Sequence, residues 1–150
     1  MKNFKLLLSL CFLFFYFAPH AQDCGKERWH IKTLSDIDTL FVNFDTIIIS
    51  SIPEQISIPK PEGNPEARLA SETSVYSIEC YIVGFAEEKD RDIHIVIADI
   101  NTDATMVAEI VSPVCSDLQS TSRLQQFKDV YDWFSMNIGE PKHSFTMLEE

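Results

Sequence analysis

Between Thr73 and Glu88 the chain reads TSVYSIECYIVGFAEE, with Val75, Ser77, Glu79, Tyr81 and Val83 alternating against Tyr76, Ile78, Cys80 and Ile82. Period two among β-branched and aromatic residues predicts a strand with one face in a core. Gly84 predicts a bend or bulge within it. The charged EEKDRD that follows reads as an exposed turn, IHIVIAD as a second strand and ATMVAEIV as a third, joined by a loop around Ile100 to Asp103. Three sequential strands pair most economically as an antiparallel meander, which Pro113 ends.

The period then changes. Leu124, Phe127, Tyr131, Phe134 and Ile138 recur at spacings of three and four, one apolar face of a helix. Thr121 or Ser122 is the expected N-cap, and Gly139 followed by Pro141 the stop. Trp133 and Phe134 are expected to pack in the core. Upstream, Ser35, Asp36 or Asp38 is expected to cap a short turn. Four prolines from Pro53 to Pro65 predict an extended surface connector, because proline lacks a backbone donor. One more short strand is expected near Thr46 to Ile49, and HSFTMLEE at the end is long enough only to start another. These elements predict an α+β domain, or a small β-barrel with one covering amphipathic helix.

The N-terminus carries Lys2 and Lys5, then LLLSLCFLFFYF from Leu6 to Phe17, then APHAQDCG. A basic start, a short apolar run and small residues predict a secretory signal peptide cut after Ala21. The run is shorter than the ~20 residues of a membrane span, so no stable anchor is expected after cleavage. Gln22 and Asp23 before Cys24 argue against a lipid-modified cysteine. The expected destination is the periplasm or the medium. Cutting there leaves residues 22–150 as a single domain and lowers Lys+Arg from 12 to 10 against 23 Asp+Glu, a net charge of −13. So acidic a chain repels phosphate backbones, and nucleic acid is not an expected partner.

Cys24, Cys80 and Cys115 remain after the cut. An odd count in an oxidising compartment predicts one disulfide and one leftover thiol. Cys80 lies in the apolar strand pattern and reads as a buried thiol, which leaves Cys24–Cys115 as the preferred bond. Zinc is disfavoured, because there is no C-x-x-C spacing and the histidines are scattered. No cofactor is expected.

The strand–loop–strand region carries residues that suggest sharper chemistries. Asp99, Asn101 and Asp103 alternate like the first oxygen ligands of a calcium loop, but Ala104 replaces the turn glycine and Ile110 the bidentate glutamate. The expectation is an Asx-rich turn. His94 and Asp99, an odd number apart, fall on opposite strand faces. His94 is expected to face Glu109 across the hairpin, and this pair is the catalytic candidate of a hydrolase alternative. Arg28 and Trp29, beside His30, are with His94 the candidate ligand contacts.

CGKERWHIKTLSDID together with EKDRDIHIVIADINTDATMVAEIVSPVC resembles a family of exported, functionally uncharacterised bacterial proteins, from Cys24 to about Ser144 with a poor match in the connector. The residues that carry the resemblance are Glu27-Arg28-Trp29, Lys32-Thr33, Asp92, His94, Asp99, Met106, Glu109, Pro113 and Cys115. The resemblance implies a small OB-like barrel and no particular activity. Relatives have Gly where Arg91 stands, and continue into a Gly-Phe-Phe-Asp strand and a His-Gly-Gln-Thr-Gly loop. This chain carries neither, so no site is carried over from that loop. About five strands make such a barrel, so the expectation is a fold incomplete at its C-terminus. The functional expectation is an exported binding or structural module of unknown ligand and partner. Its alternative is a secreted hydrolase related to OB-fold nucleases.

Overall fold

The computed structural model describes residues 24–148 apart from 26, 64, 116, 117 and 120. The leader read at residues 1–21 lies outside the described residues. The architecture is mixed α+β. Among the described residues, six strands, β1 (Asn43–Ser50), β2 (Ser74–Ile78), β3 (Cys80–Glu87), β4 (Ile93–Asp99), β5 (Thr105–Ile110) and β6 (Thr146–Met147), accompany three helices, α1 (Trp29–Lys32), α2 (Ile52–Ser57) and α3 (Leu124–Asn137). Turns of 3-10 helix precede β1 at Ile37–Phe41 and β2 at Ala70–Thr73.

The strands form two sheets. One is antiparallel in the order β5-β4-β3-β6; the other is a parallel pair, β1-β2. The run read as one strand from Thr73 is therefore two, split at Glu79: Ser74–Ile78 serves the small sheet and Cys80–Glu87 the large one. Among the described residues no closed barrel is formed.

On β4 the alternation is complete. Ile93, Ile95 and Ile97 are buried while His94, Val96 and Ala98 face outward. Ile78, Cys80 and Ile82 pack on the same core, whereas Ser77, Glu79 and Tyr81 are exposed. A bulge between Ile82 and Gly84 then shifts the register. Gly84 is needed there, since a Cβ would lie 2.5 Å from the Thr146 carbonyl oxygen and 2.7 Å from the Phe145 ring as the chain crosses to β6.

Helix α3 covers the inner face of the large sheet. Phe134 is buried edge-on against Phe85, with ring centroids 5.0 Å apart, and Tyr131 and Ile138 flank it. Its start differs from expectation. Arg123 is the N-cap residue with no side-chain cap, and the Thr121 hydroxyl accepts from the Arg123 N–H at 3.3 Å. Trp133 does not join the core but points to solvent, one position from the buried stripe.

The proline-rich connector is corrected at its start, where Ile52–Ser57 is a helix with Ile52 in the core. Ser51 accepts from the Glu54 N–H, and Glu54 accepts from the Ser51 N–H at 2.8 Å, a reciprocal cap that fits the sequence S-x-x-E. Pro53 lies in the first turn, where its missing N–H costs no helical bond.

Candidate functional site

The Cys24–Cys115 disulfide ties the N-terminal arm to the loop after β5, with Cα atoms 5.8 Å apart, and Cys80 is free. This bond brings α1 against the outer end of the β4–β5 hairpin. His94 and Glu109 are cross-strand partners in the β4–β5 register, with Nε2 3.1 Å from Oε1. Glu88 approaches the other ring nitrogen at 3.7 Å. From α1, Lys32 donates to Glu109 Oε2 at 2.6 Å and stands 3.6 Å from Asp92 Oδ2.

Asp92 is fully buried. Its Oδ1 accepts the Ser112 N–H at 3.0 Å, and its Oδ2 has no hydrogen-bond partner among the described residues. Burial pushes the Asp92 carboxyl above its ordinary range, against the Ser112 hydrogen bond and the Lys32 charge. Burial would also lower Lys32, but the Glu109 hydrogen bond and the neighbouring carboxylates raise it on balance. The ammonium thus fills the space between two carboxylates that a cation would otherwise take. With Asp92 closed to solvent, the network's chemistry is to clamp α1 on the sheet.

The other sequence candidates lie elsewhere. Arg28 makes a two-pronged bond to Glu72 at 2.6 and 2.7 Å and donates to the carbonyl oxygens of Pro65 and Ala67. Every arm of its guanidinium is engaged within the protein. Trp29 lies beneath Gly25, where a Cβ would sit 3.1 Å from the ring, and its indole N–H is buried without a partner among the described residues. His30 contacts the Glu66 carbonyl oxygen at 2.9 Å. Asp99 lies on the inner face of β4, opposite to His94. Its Oδ1 accepts from the Asn101 N–H at 3.0 Å and the Thr102 hydroxyl at 3.1 Å, while Asn101 and Asp103 are exposed. The Asn101 bond first, then the Thr102 hydroxyl, hold its carboxyl below the ordinary range against desolvation. The three do not converge. Among the described residues no group of three His, Cys, Asp or Glu side chains is arranged to hold a metal ion.

No family model, curated protein or solved structure was found to match this chain.

Two features escaped the sequence reading. One is a pair of arginines that stitch the connector to the N-terminal segment: besides Arg28, Arg68 donates to both oxygens of Asp36 at 2.6 and 3.1 Å and to the Ile31 carbonyl oxygen at 3.0 Å. No periodicity announces such contacts. The other is a cleft of about 270 Å³ beside the clamp, between α1, the edge strand β5 and the first turns of α3. Leu34, Val111, Phe127 and Val130 give it apolar walls, and Lys32, paired with Glu109, and Arg123 also line it. The Arg123 guanidinium also lies 3.4 Å from the centroid of the Phe44 ring and donates to Gln126 at 2.9 Å. Phe127 belongs to the predicted helical stripe; the cleft beneath it depends on the fold.

Proposed function

We propose that this protein is an exported binding module of OB-like architecture, acting in the periplasm or the medium, and that its ligand seat is the cleft between α1, β5 and α3. The supporting observation is the combination of apolar walls with the Arg123 guanidinium, the lining cation that no carboxylate holds among the described residues. The first turn of α3 adds the positive end of its dipole. Glu109 also lines the cleft, but Lys32 and His94 already face its two oxygens. The matching ligand is small, with an apolar body and one anionic group, since the volume lies just under the ~300 Å³ at which drug-sized pockets begin. The compartment reading rests on the leader pattern and fits the disulfide; among the described residues no helix is long and apolar enough to cross a membrane.

The test is amide shift mapping of the mature chain with straight-chain carboxylates of increasing length. Saturable shifts at Leu34, Val111 and Phe127, weakened about tenfold or more by Arg123→Glu, are expected. Shifts that ignore this substitution, or none at all, would overturn the reading. The hydrolase alternative has one observation in its favour, the His94–Glu109 contact at 3.1 Å, which orients an imidazole. It requires turnover of a hydrolysable substrate that is lost in both His94→Ala and Glu109→Gln.

A further inference from the structure

We propose that the outer edge of β1 is a strand-addition site for an extended segment of another polypeptide, rich in β-branched residues and flanked by lysine or arginine. The proposal is independent of the cleft. Strand β1 pairs with β2 alone, so among the described residues its second edge has no ladder partner. Parallel strands are normally buried within larger, covered sheets. Here Ile47, Ile48 and Ile49 are 60, 43 and 81 % exposed, and in the turn leading into the strand Leu40 and Phe41 are 84 and 72 % exposed.

Edge strands are ordinarily defended by lysine, proline or inward-pointing charge. The sequence NFDTIIIS has no lysine or proline and carries a single charge, at Asp45; an irregularity between Asn43 and Ile47, where Asn43 Oδ1 accepts from the Asp45 and Thr46 N–H groups, leaves Ile47–Ser50 as the open stretch. Unpaired backbone groups with an apolar face are what strand addition uses: the main chain supplies affinity and alternate side chains supply fit.

Charge selects the occupant. Residues 37–58 contain Asp38, Asp45 and Glu54 and no Lys, Arg or His, in a chain whose 12 basic residues face 23 acidic ones. A second copy would bring the same acids to the contact, whereas a basic-flanked strand would neutralise them. The protein already accepts one cation on this strand, the Arg123 guanidinium on Phe44.

The test uses the mature chain and a synthetic peptide that alternates Val and Thr between terminal lysines. Two matched peptides accompany it, one flanked by glutamate and one N-methylated on alternate backbone nitrogens. Anisotropy and amide exchange are the readouts. Binding of the lysine peptide with new protection in β1, weaker by about tenfold or more for the glutamate peptide and absent for the methylated one, is expected. Ile49→Lys should weaken it equally, and Phe127→Ala, in the cleft, should not. Were Ile49→Lys to unfold, the methylated peptide on the unaltered chain still separates ladder pairing from apolar contact. No binding, equal binding of both flanks or undiminished binding of the methylated peptide would overturn the proposal. So would a concentration-dependent dimer abolished by Ile49→Lys, which would make a second copy the occupant.

Discussion

The Lys32 ammonium stands 3.6 Å from Asp92 Oδ2, a fully buried carboxylate oxygen with no hydrogen-bond partner among the described residues. Removing one partner of such a pair costs more than the pair contributes, because the remaining charge keeps its desolvation penalty. Lys32→Met should therefore destabilise by about 2–3 kcal/mol, measured by urea unfolding, while the double variant Lys32→Met/Asp92→Asn recovers part of the loss.

The same carboxylate has a pH signature. Its proton is held more tightly in the folded than in the unfolded chain, so its contribution to stability is present below the ordinary value of 3.8 and lost as pH rises through the elevated one. Asp92→Asn removes that slope. Relative to the unaltered protein, the variant should gain stability as pH rises from the ordinary value of 3.8 through the elevated one; a constant difference would contradict the burial argument.

Asp36 and Glu72 behave oppositely. Burial works to raise both, but the hydrogen bonds from Arg68 and Thr39 to Asp36, and from Arg28 and the Leu69 N–H to Glu72, hold them below their ordinary ranges. Their stabilisation is full above 3.8 and 4.5, respectively, and is lost as pH falls through the depressed values. Arg68, with a side chain 5 % exposed, is the more critical arginine. Arg68→Met should cost about 3 kcal/mol and move the acid-unfolding midpoint to higher pH, readable by circular dichroism.

Gly84→Ala should detach β6 selectively, because the added carbon meets the Thr146 carbonyl oxygen and the Phe145 ring. The Leu148 amide, which donates to the Val83 carbonyl oxygen at 3.0 Å, is the reporter. Its hydrogen exchange should accelerate far more than that of the β4 amides.

Arg91 adopts φ 70° in the turn between β3 and β4. A side chain in that region costs ~1 kcal/mol relative to glycine. Arg91→Gly should accordingly raise the thermal midpoint by a few degrees.

The antiparallel meander was legible because β4 alternates without exception and Gly84 marks its neighbour's bulge. The helical stripe was legible for the same reason. What the sequence hid was long-range. Glu79 looks like any outward strand residue, yet the chain changes sheets there, since the partner of Ser74–Ile78 is β1, far upstream in the sequence. Ser51 and Glu54 did announce a helix, but Pro53 between them suggested a break, although a proline in the first turn breaks nothing. His94 and Glu109 could be paired by counting along a hairpin. Lys32 could not, because only the disulfide and the folded arm carry it to them. Arg28 looked free for a ligand until Glu72, deep in an unpatterned stretch, took it.

The Cys24–Cys115 bond joins residues 91 positions apart, which imposes an order of events on a chain that is synthesised from its N-terminus. Cys24 emerges first and Cys80 second, long before the correct partner. During that interval the wrong thiol is the nearer one. In the folded chain Cys80 packs against the core and burial raises its thiol, which lowers the reactive thiolate fraction and disfavours it as a partner. The bond thus locks the arm to a loop made 91 positions later.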